Sequence, residues 1–191
     1  MSERRESRGR RFPSSEELAR VVERLATEAA EAGIDAAVIG GYAMQFYGSP
    51  RLTKDVDFAA LEPLPGFGGR RLKIGGFRRP VEHGIMADWI LRKDDVRGLY
   101  ADAVKKAVET DEGFRVATPE HLLAMKIIAA RPKDRIDAMF LLRHNLADPD
   151  KTVGLLNKFA AKRVLSQVLL QLAHAAQQPE ADEGEDDLEE D

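Results

Sequence analysis

The chain begins with a helical pattern of hydrophobic positions. Apolar side chains recur every three or four residues from Leu18 to Ala29, a spacing that places them on one face of an α-helix. Ser14 or Ser15 can cap this helix, acidic residues follow in its first turn, and Gly33 can end it. The pattern therefore predicts an amphipathic helix that buries one stripe of side chains.

Shorter apolar runs follow this helix, and further helical patterns come after them. The runs predict strands at 35–40, 54–61, 70–77 and 83–91, with a short helix at 42–48. A helix and a short extended piece are expected within 95–118, and then helices alone at 118–131, 133–145 and 148–178, the last stretch in one piece or two. Thr118 and Pro119 supply a cap and a first-turn proline for the first of these three. This order predicts an α+β (mixed α/β) fold, a small mixed β-sheet with flanking helices and a C-terminal helical region.

Composition divides the chain further. Residues 1–13 are rich in arginine and predict a disordered basic arm, 14–115 a sheet core, 116–178 a helical region, and 179–191 a disordered acidic tail. The last twelve residues hold nine acids and no basic residue, so removing their charge from the net −4 leaves the rest near +5. A mildly basic body favours a phosphate-bearing partner. The tail is interpreted as a solvated end, the alternative being a segment that screens a basic cleft or binds a partner.

The sequence also excludes some classes of protein. It has no cysteine, so disulfides and thiolate metal sites are excluded, which fits a cytoplasmic protein. No apolar run reaches the roughly 18 residues of a membrane span, and the polar start has no signal-peptide core. We therefore expect no membrane partner.

Two aspartates share one face of a predicted strand. Side chains alternate along a strand, so Asp55 and Asp57 point together while Val56 and Phe58 point to the core. Two such carboxylates repel one another unless a cation joins them, and Mg²⁺ prefers oxygen ligands of this kind. The alternative for this short pattern alone is an edge strand with a solvated polar face.

Two further features favour the metal-site interpretation. Gly40 and Gly41 lie between a buried strand and a helix, where backbone N–H groups can approach a phosphate, although a Gly-Gly pair alone is often only a turn. Asp88 interrupts an apolar strand, where a lone acid is costly to bury unless it is paired or binds a cation. A sheet that sets this strand beside 55–58 would assemble three carboxylates.

At this point the sequence resembles a known family. The segment GGYAMQFYGSPRLTKDVDF, residues 40–58, resembles the nucleotidyltransferase motif of the DNA polymerase beta superfamily. Together with TPEHLLAMKIIAARPKDRIDAMFLL at 118–142, it is most similar to the AbiEii-like bacterial nucleotidyltransferases, which include toxins of type IV toxin–antitoxin systems. The resemblance covers about residues 35–143 and reaches neither the N-terminal arm nor the acidic tail.

The resemblance implies a role for each matching residue. Asp55, Asp57 and Asp88 would be catalytic and would hold two Mg²⁺ ions, and Asp88 would also take the proton of the acceptor hydroxyl. The residues implied to meet or support the nucleotide are Gly40, Gly41, Arg51, Thr53, Lys126 and Asp137. Considered without the resemblance, Lys126 could extend along the helix to solvent, and Asp137 could simply favour a helix start.

Three functional hypotheses follow. The first is a metal-dependent transfer of a nucleoside monophosphate from a nucleoside triphosphate to a hydroxyl of tRNA or another RNA by a toxin-like enzyme with a cognate antitoxin. Basic doublets at 70–71 and 78–79 would then contact RNA phosphates, the alternative being ordinary solubility. The second is the same chemistry on a small molecule such as an aminoglycoside. The third is a catalytically silent module that binds a nucleotide or a partner.

Overall fold

The structure is a computed structural model that describes residues 12–160 and 163–178. Its helices are α1 Ser15–Glu31, α2 Gly40–Phe46, α3 Arg97–Lys105, α4 Pro119–Ala129, α5 Pro132–Arg143, α6 Pro149–Phe159 and α7 Arg163–Ala176. Its strands are β1 Ala36–Ile39, β2 Asp55–Ala60, β3 Arg70–Arg71, β4 Gly76–Pro80, β5 Met86–Ile90, β6 Val108–Glu109 and β7 Arg115–Val116. The acidic tail and almost all of the predicted basic arm lie outside the described residues.

The seven strands form one sheet in the order β3-β4-β5-β2-β1-β7-β6. Two strand pairs are parallel, β2 with β5 and β1 with β7, and the other four are antiparallel. A mixed sheet followed by four consecutive helices confirms the predicted α+β fold. The division of the chain at residues 115 and 116 stays a prediction, and β7 lies at that division.

The first helix forms as its hydrophobic pattern predicts. The Ser14 hydroxyl accepts a hydrogen bond from the Glu17 backbone, and the Glu17 carboxylate accepts one from the Ser14 backbone. These reciprocal bonds satisfy N–H groups that an open helix end would leave unpaired. The apolar face of α1 is buried through Leu18, Val21 and Leu25, which anchor the helix on the sheet.

The segment predicted as one strand at 70–77 is instead a hairpin. Strands β3 and β4 pair antiparallel, and the chain reverses between Leu72 and Gly75. The N–H of Leu72 donates to the carbonyl of Gly76, and the N–H of Gly75 donates to the carbonyl of Leu72. The prediction was wrong because it took the apolar residues of the turn as part of one continuous strand. The second strand of the hairpin, β4, ends at Pro80.

The C-terminal helices pack against one another. Helix α4 contacts α5, α6 and α7, and α3 joins this group through α4 and α6. The turn from α4 into α5 is tight, since Ala130 adopts a left-handed conformation and Pro132 opens the next helix. In the described part of the chain, no helix is both long and apolar enough to span a membrane.

Candidate functional site

A cleft of about 370 Å³ opens between the sheet and the α4–α5 turn. Its polar floor carries Asp55, Asp57 and Asp88, which come from the neighbouring strands β2 and β5. The other side chains that line it include Ile39, Arg51, Thr53, Ile74, Arg78, Ile90, Arg92, Tyr100, Leu122, Met125, Lys126, Arg131, Lys133 and Asp134. The cleft therefore combines carboxylates, several cations and an apolar wall.

The strand register brings the three predicted acids together. Strands β2 and β5 run parallel, with Asp57 directly opposite Asp88 and Asp55 opposite Met86. Side chains on one face of adjacent strands lie about 5 Å apart, and Asp55 shares the face of Asp57 two residues along. The proximity expected from the sequence is thus present. Metal binding by the three side chains stays a prediction.

The environment of Asp57 disfavours the ionised form of its carboxyl group. Burial, together with the neighbouring charges of Asp88 and Asp55, raises its pKa to about 7, although Lys126 and Arg78 act in the opposite direction. Such a value means that the ionised form lacks sufficient positive charge nearby. A cation placed beside Asp57 would be stabilised by the same interaction.

Arg78 is a functional candidate in this cleft whose position the sequence does not reveal. Its Nε donates to Asp88 Oδ1 at 2.5 Å and its Nη2 donates to Asp88 Oδ2 at 2.8 Å. Nη2 also lies 3.9 Å from Asp55 Oδ2. The sequence groups Arg78 with the basic doublet expected to contact RNA, and only the pairing of β4 with β5, which sets Arg78 opposite Asp88, reveals its position.

The two glycines that begin α2 form part of the floor of the cleft. Gly40 has φ +73°, and a Cβ added there would overlap Asp57 Oδ2. A Cβ on Gly41 would lie 2.6 Å from Thr53 Oγ1, so this residue is packed against Thr53. The close approach of Gly40 to Asp57 explains the glycine directly. Contact of either glycine with a phosphate stays a prediction.

Gly40→Ala is expected to lower the free energy of unfolding by about 2–4 kcal/mol and to displace the Asp57 carboxyl. A left-handed backbone costs alanine about 1–2 kcal/mol, and the overlap with Asp57 adds a steric cost. Gly33→Ala is the matched control, because Gly33 has φ +68° and open space around its Cα. Urea unfolding of both variants isolates the steric part, and equal losses would contradict the packing role of Gly40.

A buried ion network supports one side of the cleft. Both carboxylate oxygens of Asp137 accept hydrogen bonds from Arg51, at 2.7 and 3.0 Å, and Lys126 Nζ lies 2.5 Å from Asp137 Oδ2. Lys126 also lies 3.4 Å from Asp134 Oδ1 and is only 6% exposed. The alternative in which Lys126 extends to solvent is therefore wrong. The structure joins Arg51, Lys126 and Asp137, which the resemblance had implied one by one.

Thr53 supports the start of β2. Its hydroxyl donates to the carbonyl of Asp55 at 3.2 Å and lies 3.4 Å from the Asp55 N–H. These local bonds fix the backbone immediately before the two aspartates. Thr53 therefore acts on the cleft by fixing the chain segment that carries Asp55.

The open side of the cleft is basic and aromatic. Arg131 pairs with Asp134 at 2.6 Å, and although burial opposes the effect, Arg131 and Lys126 lower the pKa of Asp134. The guanidinium of Arg92 lies 4.8 Å from the ring centre of Tyr100, and burial raises the pKa of that phenol. Sequence analysis missed both Arg92 and Tyr100, because neither belongs to a pattern that distinguishes it from other surface residues.

Two of the three carboxylates in the floor suit the ligand requirements of Mg²⁺. No group of three or more His, Asp or Glu side chains within residues 12–160 and 163–178 is arranged to hold a metal ion. Mg²⁺ commonly uses only one or two protein carboxylates and takes its remaining ligands from water and phosphates. Asp55 and Asp57 fit that requirement, whereas both oxygens of Asp88 are engaged by Arg78.

Comparison with known proteins gives low similarity. No protein-family model matches the chain, and no curated protein matches it. An antigenic nucleotidyltransferase-like protein from Paracoccidioides brasiliensis is 21% identical, with a TM-score of 0.48 over 85% of this chain and 95% of that one. A candidate nucleotidyltransferase from H. pylori is 18% identical, with a TM-score of 0.46 over 86% and 95%. The antibiotic-resistance factor ANT(2'')-Ia is 14% identical, with a TM-score of 0.44 over 85% and 96%. Membership of the AbiEii-like proteins stays a prediction from the sequence motifs.

Proposed function

We propose that this protein is a metal-dependent nucleotidyltransferase that transfers a nucleoside monophosphate from a nucleoside triphosphate to a hydroxyl acceptor. The observation that carries the proposal is the aspartate cluster on adjacent strands, in which burial and the charges of Asp88 and Asp55 raise the pKa of Asp57. A group of carboxylates in this state, on the floor of a cleft, is suited to bind a divalent cation together with phosphates.

Asp55 and Asp57 are the residues that would hold the metal. They point from one face of β2 into the cleft, and neither takes part in the bidentate pair of Arg78 with Asp88. When bound, Mg²⁺ supplies charge neutralisation for the triphosphate and for the oxygens of an in-line displacement. The resemblance implies two such ions, and the second one would require Asp88 to become available.

The cationic side of the cleft would position the triphosphate. Lys126 is held in place by Asp134 and Asp137, so its ammonium occupies a defined position on the wall. Arg131 and Lys133 stand at the α4–α5 turn, where their charge can meet phosphate oxygens. Positioning and charge neutralisation account for most of the rate in phosphoryl transfer, so the site needs no covalent nucleophile.

The reaction has a simple balance. The acceptor hydroxyl oxygen forms a bond to the α-phosphorus, and the bond from that phosphorus to the oxygen bridging to the β-phosphate breaks. Pyrophosphate leaves with the electron pair of that bond, and the hydroxyl proton passes to the Asp88 carboxylate. Asp88 can accept this proton only after an oxygen is released by Arg78, because both of its oxygens accept hydrogen bonds from that guanidinium.

An RNA acceptor is favoured by the surface next to the cleft. The turn and strands of the β3–β4 hairpin, with the segment after β5, carry Arg71, Lys73 and Lys93 around a second concave surface. Ile74 lines both this surface and the cleft, so a bound polyanion would pass close to the aspartates. Exposed cations of this kind bind phosphates of a nucleic acid.

Because nucleotides and RNA are cytoplasmic substrates, we propose that the activity is cytoplasmic. The toxin role and a cognate antitoxin are further parts of the proposal.

Incubation with each labelled nucleoside triphosphate, Mg²⁺ and total RNA tests the proposal. Wild-type protein is expected to label RNA, and Asp55→Ala is expected to lose at least about 100-fold of the rate because a metal-holding carboxylate is removed. Asp111→Ala is the matched control, since Asp111 is exposed in a turn outside the cleft. Equal labelling by wild type and Asp55→Ala would overturn the enzyme assignment, and label on protein would overturn only the acceptor.

A further inference from the structure

Arg78 occupies an unusual position for a cation in a site built from carboxylates. Its guanidinium makes two parallel hydrogen bonds to Asp88 and extends to within 3.9 Å of Asp55. The Asp88 side chain is 8% exposed, whereas the Arg78 side chain is 30% exposed. The acid is thus fixed in the floor, while the cation that covers it lies at the open side of the cleft.

This pairing is a consequence of strand register. Strand β4 pairs antiparallel with β5, and Arg78 is directly opposite Asp88 in that ladder. The next residue, Arg79, is used differently, since it stacks over the ring of Phe67 at 4.3 Å and donates to the carbonyl of Gly66. Only Arg78 of this doublet enters the cleft, and it enters where the third acid stands.

The pair conflicts with the binding of a divalent cation by all three acids. Both Asp88 oxygens accept from the guanidinium, and a positive charge this close to Asp55 opposes a second cation at the same place. An arginine fork binds a phosphate with the same bidentate geometry as a carboxylate. A triphosphate in the cleft would therefore offer Arg78 a replacement partner at little cost.

We infer that Arg78 exchanges partners when substrate binds, leaving Asp88 for a phosphate group of the nucleoside triphosphate. The inference rests on the proposed function and adds a residue to the nucleotide-binding set. In the free protein Arg78 neutralises Asp88 and opposes metal binding. In the substrate complex Arg78 neutralises phosphate, and Asp88 is released to the cleft.

Arg78→Met tests the exchange through two affinities that should move in opposite directions. Mn²⁺ binding without nucleotide, followed by electron paramagnetic resonance, is expected to tighten about tenfold because the competing charge is gone. Binding of a non-hydrolysable nucleoside triphosphate analogue at saturating Mn²⁺ is expected to weaken about tenfold because a phosphate ligand is lost. Arg70→Met is the matched control, since Arg70 lies opposite Arg78 on β3 but outside the cleft.

Arg78→Lys gives a second reading if the methionine variant does not fold. Lysine keeps the charge but loses the fork, so Mn²⁺ affinity should stay close to wild type while analogue binding still weakens. Unchanged affinities in both variants, or a parallel loss of both affinities together with a lower Tm, would overturn the exchange and leave Arg78 a structural clamp. If wild type binds Mn²⁺ no better than Asp57→Asn, the proposed function itself fails.

Discussion

Asp57→Asn is expected to raise the free energy of unfolding at pH 8 by about 2–4 kcal/mol. The pKa of Asp57 is about 7 in the folded protein against an ordinary value of 3.8. The folded state holds this proton more tightly than the unfolded chain. The contribution of Asp57 to the free energy of unfolding is therefore largest below about pH 4 and is lost as the pH rises to about 7. Each pKa unit corresponds to about 1.4 kcal/mol, and asparagine removes the charge that causes the loss.

Urea unfolding of both proteins at pH 5 and pH 8 measures this effect. The increase in the free energy of unfolding caused by Asp57→Asn should be clearly larger at pH 8, since at pH 5 most Asp57 in the folded protein is already protonated. Addition of Mg²⁺ should stabilise the wild type and have little effect on the variant, because a cation that binds only the folded state raises its stability. A gain that is equal at both pH values would show that Asp57 does not carry the unbalanced charge.

The same variant should lose nucleotidyl transfer by at least about 100-fold, because a neutral amide is a weaker ligand for Mg²⁺ than a carboxylate. Increased stability and lost activity in one protein are the mark of a strained functional group. An Asp57→Asn protein that stayed active, or that unfolded, would mean that the acid serves the fold and not the reaction.

The parts of the site that follow local periodicity were predictable from the sequence. The alternation of side chains along a strand sets Asp55 and Asp57 on one face, and the apolar context of β5 makes Asp88 conspicuous. The glycines at the end of β1 were equally visible, but their reason was not. Gly40 is required by contact with Asp57, a residue 17 positions later, and a pattern along the chain does not report such contacts.

What sequence analysis missed depends on pairing between distant segments. The hairpin turn at 72–75 interrupts a segment interpreted as one strand, and with that error the register that places Arg78 opposite Asp88 could not be derived. Lys126 and Asp137 are eleven residues apart across two helices, so no helical spacing links them. Their contact depends on the reversal at Ala130, which a pattern of hydrophobic positions does not encode.

Asp137→Ala is expected to lower the free energy of unfolding by about 3 kcal/mol, the low end of the cost of breaking a buried ion pair, because Lys126 keeps its longer contact with Asp134. Asp137 is fully buried and pairs with both Lys126 and Arg51, and Lys126 is itself 6% exposed. The exposed acid Asp150 provides the control, since Asp150→Ala should cost about 1 kcal/mol or less.

The double variant Lys126→Met/Asp137→Leu separates charge from packing. It replaces the buried pair by apolar side chains, so it should recover most of the stability lost in Asp137→Ala, because a buried ion pair is often no more stabilising than a hydrophobic pair of similar volume. Urea unfolding of the single and double variants gives the comparison. A double variant no more stable than Asp137→Ala would show that the Lys126 charge is not what destabilises the single variant. The loss would then come from the packing of the Asp137 side chain. Recovery of stability without recovery of nucleotide binding would instead mean that the network is retained for the cleft and not for the fold.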